Sequence, residues 1–106
     1  MNKIKHSEIA AVRADMLAQQ NNLCALCGEA IEPGKAVLDH DHKSGQLRGV
    51  LHRGCNALEG QIVNALPRNL ITPERLAKIF ENWDKYHADL KPVLYPRHKQ
   101  PKSKKK

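Results

Sequence analysis

The sequence has 106 residues, the length of one ordinary domain, and 41% of them are hydrophobic. It has no run of about 20 apolar residues, which argues against a membrane span, and no apolar N-terminal stretch typical of a signal peptide, which predicts a cytoplasmic protein. The net charge of +7 arises entirely in residues 91–106, because residues 1–90 carry 11 basic and 11 acidic side chains.

A helix and a β-hairpin are the first elements predicted along the chain. Apolar residues at positions 9, 12 and 16 are spaced three and four apart, which predicts a helix over 7–20 with Ser7 as its N-cap. Paired asparagines follow and end it. A turn at 32–35 precedes a short strand at 36–38, and a second turn at 43–45 precedes a strand at 47–51. The two strands predict a hairpin.

Helical patterns resume after the hairpin. One helix is predicted over 55–66, and a second over 72–90, where Thr72 is the N-cap and Pro73 occupies the first helical position. The second helix carries a stripe of large apolar residues: Leu76, Ile79, Phe80, Trp83, Tyr86 and Leu90. Monomers rarely expose such a patch, so we expect a homodimer; the alternative is that the helix folds back onto its own hairpin.

Three cysteines and one histidine have the spacing of a zinc site. Cys24 and Cys27 are separated by two residues, and His52 and Cys55 repeat that spacing. Two-residue spacers let both side chains of a pair bind one Zn²⁺, which takes thiolate and imidazole ligands tetrahedrally. The odd number of cysteines also argues against a disulfide framework. The pattern predicts one structural zinc per chain; the alternatives are a redox pair at Cys24 and Cys27 with Cys55 free, or three unrelated buried thiols.

A run of four titratable residues, Asp39-His40-Asp41-His42, follows the first strand. On a strand, Asp39 and Asp41 would share one face and the two histidines the other. Asn56 comes directly after the last cysteine, so the hairpin and the zinc are expected to bring it next to Asp39 and His40. Carboxylate and amide oxygens suit Mg²⁺, and a histidine can take a proton from water at neutral pH. The alternatives are a solvated polar turn and a second zinc site.

These motifs together resemble the phage recombination endonuclease VII family, which belongs to the His-Me finger (ββα-metal, HNH-like) nucleases. The resemblance covers about residues 10–62. It includes the four predicted zinc ligands, the Asp-His-Asp-His run, Arg48-Gly49-Val50-Leu51 and Cys55-Asn56-x-x-Glu59-Gly60. It implies an α+β fold, a small zinc-braced hairpin and helix with flanking helices. The family usually has Cys at the position of His52, and Cys₃His is also a common zinc ligand set.

The resemblance also implies an activity and a role for each site residue. The family hydrolyses DNA phosphodiester bonds with Mg²⁺, or Mn²⁺ in its place. By motif position, Asp39 and Asn56 correspond to the metal ligands, His40 to the general base, His42 to a supporting histidine and Glu59 to an auxiliary acid. The resemblance suggests branched or nicked DNA as the substrate. A phage-encoded protein would act in the cytoplasm of the host cell.

Basic residues outside these motifs are candidates for DNA binding. Lys43, Arg48 and Arg53 flank the predicted site, and each could instead be a solvated surface charge. We expect 1–90 to form the nuclease domain and 91–106 a basic, disordered tail interrupted by prolines. Four tail residues are predicted to contact phosphates non-specifically: Lys102, Lys104, Lys105 and Lys106. The alternative is a solubility tail.

Two other functions compete with the nuclease. A non-catalytic zinc module that only binds nucleic acid would explain the cysteine pairs and the basic tail, but it would leave the Asp-His run and Asn56 as coincidence. A zinc-dependent redox protein acting through Cys24 and Cys27 would likewise not require the Asp-His-Asp-His run or Asn56.

Overall fold

The computed structural model describes residues 3–96, and the chain divides into two compact units with the boundary between Asn69 and Leu70. The α+β class is confirmed, since the first unit holds an antiparallel hairpin and helices. Within residues 3–96, no helix is both long enough and apolar enough to cross a membrane. The four tail lysines at 102–106 lie outside the described residues, and the predicted domain boundary at residue 90 stays a prediction.

The first unit opens with a short 3₁₀ turn, His6–Glu8, that leads into helix α1, Ile9–Gln19. The backbone N–H of Lys5 donates to Glu8 Oε1 at 2.8 Å, so a glutamate inside the first turn caps the helix start. The predicted N-cap at Ser7 is therefore wrong. The helix ends where predicted, because the next two asparagines have φ of 57° and 62°, a left-handed conformation that asparagine tolerates.

The hairpin consists of strands β1, Ala36–His40, and β2, Leu47–His52, preceded by a 3₁₀ turn at Pro33–Lys35. Asp39 pairs with Gly49, but the next residue of β1 pairs with Leu47, so the register skips Arg48. Such a bulge redirects the side chain of the extra residue. Strand β1 is longer than predicted, and the first two residues of the Asp-His-Asp-His run belong to it.

Helix α2, Arg53–Arg68, begins directly after β2 and is longer than predicted at both ends. Pro67 lies in its last turn and removes one i→i−4 hydrogen bond, and the helix ends one residue later at Arg68. The side chain of Asn69 then donates to the carbonyl oxygen of Ala65 at 2.8 Å and closes the helix.

The core of the first unit is small and lies between α1, the first cysteine pair and β2. Its buried members are Leu17, Cys24, Ile31, Val50 and Leu51. Leu17 is the buried residue of α1, whereas the predicted stripe at positions 9, 12 and 16 is only half-buried. Cys24 thus belongs to the hydrophobic core and to the predicted zinc site at once.

The second unit contains helices α3, Pro73–Glu81, and α4, Trp83–Ala88. Thr72 caps α3 as predicted, since its hydroxyl accepts the backbone N–H of Arg75 at 3.2 Å. The single helix predicted over 72–90 is wrong, because Asn82 separates two helices. The side-chain amide of Asn82 donates to the carbonyl of Lys78 at 3.0 Å, which competes with the backbone hydrogen bonds of the helix.

Candidate functional site

The two predicted metal-binding pairs converge on one point. The ligand atoms of Cys24, Cys27, His52 and Cys55 all lie within 4.8 Å of one another. The first pair sits in a tight turn closed by an antiparallel bridge between residues 23 and 30, and the second pair spans the junction of β2 and α2. Cys27 is exposed and Cys55 half-buried, so the alternative of three unrelated buried thiols is wrong. This cluster could hold one zinc ion.

Hydrogen bonding prepares His52 to act as a ligand. Its Nε2 lies 2.9 Å from the carbonyl oxygen of Ala30. A carbonyl only accepts, so Nε2 carries the proton and Nδ1 keeps its lone pair. That Nδ1 lies 3.4 Å from Cys27 Sγ and 3.7 Å from Cys55 Sγ. A metal-binding histidine typically has its other ring N–H fixed in this way, so the donor set fits a Cys₃His zinc site.

The pKa values of two thiols of the cluster, Cys24 and Cys55, are shifted in opposite directions. Burial acts to raise the pKa of Cys24, but hydrogen bonds from the backbone of Cys27 and His52 lower it to about 6. Burial, followed by hydrogen bonds with Cys27 and Cys24, raises the pKa of Cys55 to about 11. Cys24 therefore ionises more readily than Cys55. Zinc requires thiolates, so it would draw the remaining protons off the cluster as it binds.

A second polar group lies on the hairpin, centred on Asp39. This residue is only 7% exposed, and its Oδ2 accepts a hydrogen bond from Arg48 Nε at 2.9 Å. The same guanidinium reaches Glu59 Oε1 on α2, at 3.4 Å through Nη2. The bulge at Arg48 turns its side chain toward these two carboxylates. The result is an ion-paired bridge between β1 and α2.

Gly49 and Gln20, to which the sequence assigns no role of their own, determine how β2 packs against the turn of the first two cysteines and the end of α1. Gly49 lies opposite Asp39 on β2, and a Cβ there would come within 3.1 Å of the Ala25 side chain. The side chain of Gln20 donates to the carbonyl of Val50 and accepts its N–H, both at 2.9 Å. Glycine inside a strand is a recognised sign of a close backbone approach, so Gly49 could have been identified. Nothing in the sequence pattern indicates the role of Gln20.

The four residues of the Asp-His-Asp-His run have separate surroundings. Because β1 ends at His40, the predicted sharing of a strand face by Asp39 and Asp41 is wrong. The carboxylate of Asp41 accepts the backbone N–H of Lys43 at 2.7 Å and of Ser44, and these bonds lower the pKa of Asp41. Asp41 therefore caps the turn between the two strands.

The two histidines of the run lie side by side. The ring centroids of His40 and His42 are 4.8 Å apart, and both residues are exposed. Among residues 3–96, the Cys₃His cluster is the one group of three or more His, Cys, Asp or Glu side chains whose ligand atoms converge. The alternative of a second zinc site at these histidines therefore has no support in the described part of the chain.

Helix α2 presents the remaining predicted site residues. Asn56 lies in its first turn, half-buried, and Glu59 lies three residues further along the same face. No hydrogen bond joins Asn56 to Asp39 or His40 within the described residues, but the contact of Glu59 with Arg48 shows that this face is turned toward the hairpin. Of the predicted phosphate-binding residues near the site, Lys43 and Arg53 are exposed.

Two pockets accompany these features. One of about 270 Å³ lies beside the bridge of Asp39, Arg48 and Glu59, and Ala25, Leu26, Gly49 and Leu51 complete its lining. A larger one of about 520 Å³ lies along α3 and α4, and its lining contains no carboxylate or thiol, which separates it from the candidate chemistry.

Comparison with known families agrees with this geometry. The family described as recombination endonuclease VII matches residues 2–84, which is more than half of the chain and includes both metal-binding pairs, the hairpin and α2. Enzymes of this family act on DNA. The chain therefore belongs to the recombination endonuclease VII family of DNA endonucleases.

Proposed function

We propose that this endonuclease hydrolyses DNA phosphodiester bonds with His40 as the general base and with Mg²⁺ or Mn²⁺ held by Asp39 and Asn56. The observation that carries the proposal is the buried carboxylate of Asp39, which is followed in β1 by the exposed His40 and is joined through Arg48 to Glu59 of the helix that carries Asn56. A module that only binds nucleic acid gains nothing from a carboxylate placed where a phosphate must approach.

The donor atoms fit a hard divalent cation. Arg48 occupies only Oδ2 of Asp39, and Oδ1 accepts no hydrogen bond from the described residues. The side-chain amide of Asn56 likewise makes no hydrogen bond within that part of the chain. One carboxylate oxygen and one amide oxygen, with several waters retained, form the kind of ligand set that Mg²⁺ accepts.

His40 provides the base for the reaction. It removes a proton from a water molecule, which attacks the phosphorus in line with the leaving 3′-oxygen. The products are a 5′-phosphate and a 3′-hydroxyl. The ring of His42 lies beside that of His40, with centroids 4.8 Å apart, where it could support the base. When bound, the divalent cation supplies positive charge beside the phosphate and the leaving oxygen, where negative charge develops.

One structural zinc, held by the Cys₃His cluster, would make this site rigid. The first pair of ligands precedes the hairpin and the second pair follows it, so a bound zinc would close the segment 27–52 into a loop. Asp39 and His40 lie within that loop. The exposed side chains of Lys43 and Arg53 and the tail lysines are proposed to contact the DNA backbone.

Plasmid cleavage tests the proposal. Wild-type protein should nick or linearise supercoiled DNA with Mg²⁺ and lose that activity in EDTA, whereas a binding module would retard the plasmid and leave it intact in both buffers. Asp39→Asn should abolish cleavage. Asp41→Asn is the matched control, since its amide keeps the acceptor oxygen of the turn and should leave cleavage unchanged. Intact plasmid after prolonged incubation with zinc-loaded wild-type protein and Mg²⁺ would contradict the proposal.

We also propose that the protein is a homodimer formed through the second unit. Phe80, Trp83 and Tyr86 are 55%, 48% and 77% exposed, and Leu90 is 84% exposed. Burying the exposed part of such side chains contributes about 25 cal/mol for each Å² of apolar area removed from water. A second copy offers a matching apolar face, and a twofold pair would present two active sites to one DNA. Paired cutting of branched or duplex DNA is the activity that such a pair would support.

A further inference from the structure

Arg48 forms ion pairs with two carboxylates of the candidate site, although it is partly exposed. Its guanidinium contacts Asp39 Oδ2 at 2.9 Å and Glu59 Oε1 at 3.4 Å, although its own side chain is 42% exposed. The bulge in β2 at this residue directs it there. The carboxylate that it contacts most closely is the one to which the proposed function assigns the divalent cation.

The charges of this group bear directly on cation binding. Asp39 and Glu59 contribute two negative charges, and Arg48 cancels one of them. The side chain of Asp39 is 8% exposed, so solvent screens its interaction with the guanidinium less than it would at an open surface. A divalent cation that approaches the free oxygen of Asp39 therefore meets a carboxylate that is already paired with a positive charge.

We propose that Arg48 is a built-in counter-cation of the metal site, which keeps the affinity for divalent cations low in the free protein and makes firm metal binding depend on DNA. The inference rests on the proposed role of Asp39 as a metal ligand. When DNA binds, its phosphates add negative charge beside the site and offer the guanidinium of Arg48 another partner. Metal and DNA then strengthen each other's binding by the same factor, as linkage requires.

The expected size of the effect follows from Coulomb's law. A unit charge about 4 Å from a bound monovalent ion of the same sign weakens the binding of that ion in water about fivefold. For a divalent ion the factor is squared. Allowing for a somewhat longer separation, removal of the Arg48 charge should strengthen metal binding in the absence of DNA by about tenfold or more.

Mn²⁺ titration of the zinc-loaded protein without DNA tests the proposal by a readout that does not involve activity. Arg48→Gln should bind Mn²⁺ about tenfold more tightly than wild type. Arg48→Lys keeps the charge without the two-armed geometry, so it should stay within about twofold. Arg13→Gln removes an arginine from α1 and serves as the matched control with unchanged affinity. Zinc content and thermal unfolding check that each variant is folded.

The role of DNA is measured in the His40→Ala background, in which the duplex stays intact. A DNA duplex should strengthen Mn²⁺ binding clearly more in the protein with Arg48 than in the one with Arg48→Gln. If the Arg48→Gln variant fails to fold, the Mn²⁺ affinity of the protein that keeps Arg48 is compared with and without DNA. An affinity that does not respond to DNA would overturn the proposal.

The remaining outcomes separate the failure of this inference from the failure of the proposed function. Unchanged Mn²⁺ affinity in Arg48→Gln would overturn the counter-cation role. Weaker affinity in both Arg48→Gln and Arg48→Lys would also overturn it, and would show that the arginine orients the carboxylate of Asp39 instead. If Asp39→Asn binds Mn²⁺ as wild type does, the proposed metal site itself is wrong.

Discussion

Removal of the zinc should unfold the hairpin, because the hydrophobic core is too small to replace it. The first unit buries five apolar residues, and burial of such side chains contributes about 1.5–3 kcal/mol each, on the order of 10 kcal/mol in total. Binding of a structural zinc contributes about 10–16 kcal/mol, as much as the whole core. Cys55→Ser removes one of the four ligands. Loss of even a quarter of the zinc contribution, about 3 kcal/mol, would lower the Tm by more than about 10 °C, so loss of the whole ion should abolish the cooperative transition.

Thermal unfolding followed by circular dichroism, together with zinc analysis of the purified protein, measures this effect. Wild type should contain about one zinc per chain, and Cys55→Ser should lose both the zinc and the cooperative transition. The matched control is Leu26→Ser, which changes a side chain of the first cysteine turn that is 56% exposed and is not a ligand. A metal-free Cys55→Ser protein that unfolds at the wild-type Tm would refute the reasoning.

Three further predictions concern the hairpin, the tail and the second unit. Gly49→Ala should destabilise the protein by about 1–3 kcal/mol in chemical denaturation, because the added Cβ would meet the Ala25 side chain at 3.1 Å. The control Gly60→Ala adds a Cβ in open space on α2 and should stabilise the protein by up to about 1 kcal/mol, so equal effects of the two substitutions would contradict the packing explanation. Deletion of residues 91–106 should flatten the log–log salt dependence of DNA affinity by about 0.9 for each phosphate that the tail neutralises, and an unchanged slope would make the tail a solubility device. Light scattering should give wild type twice the chain mass of 11.9 kDa and Trp83→Glu the single mass, whereas monomeric wild type would refute the dimer.

The sequence predicts the parts of the fold that depend on local spacing. Three such features are local in the sequence and present in the structure. They are the two-residue spacers of the metal-binding pairs, the glycine and proline turns around the hairpin, and the Thr72-Pro73 helix start. The family was identifiable for the same reason, because its motifs lie in consecutive local elements.

Features that depend on contacts between distant residues were beyond the sequence pattern. The bulge at Arg48 arises from the pairing of two strands, and it places this residue beside two carboxylates, a contact that the sequence pattern does not predict. Helix α1 is a second example, since Leu17 is buried through its position against β2 and the cysteine turn rather than through its place in an apolar stripe. At Asn82, a side-chain hydrogen bond divides a helix whose apolar spacing continues unbroken.

The most direct test of the account is the rate at which His40→Ala cleaves DNA in a single turnover, at saturating DNA and Mg²⁺. The variant should remain folded, zinc-loaded and able to bind DNA, because His40 is exposed and makes no core contact. Its cleavage rate should fall about 10²- to 10⁴-fold, the usual cost of losing a general base, while His6→Ala, an exposed histidine of the N-terminal turn, should keep the wild-type rate. A His40→Ala rate close to that of wild type would contradict the account and shift the role of base to His42.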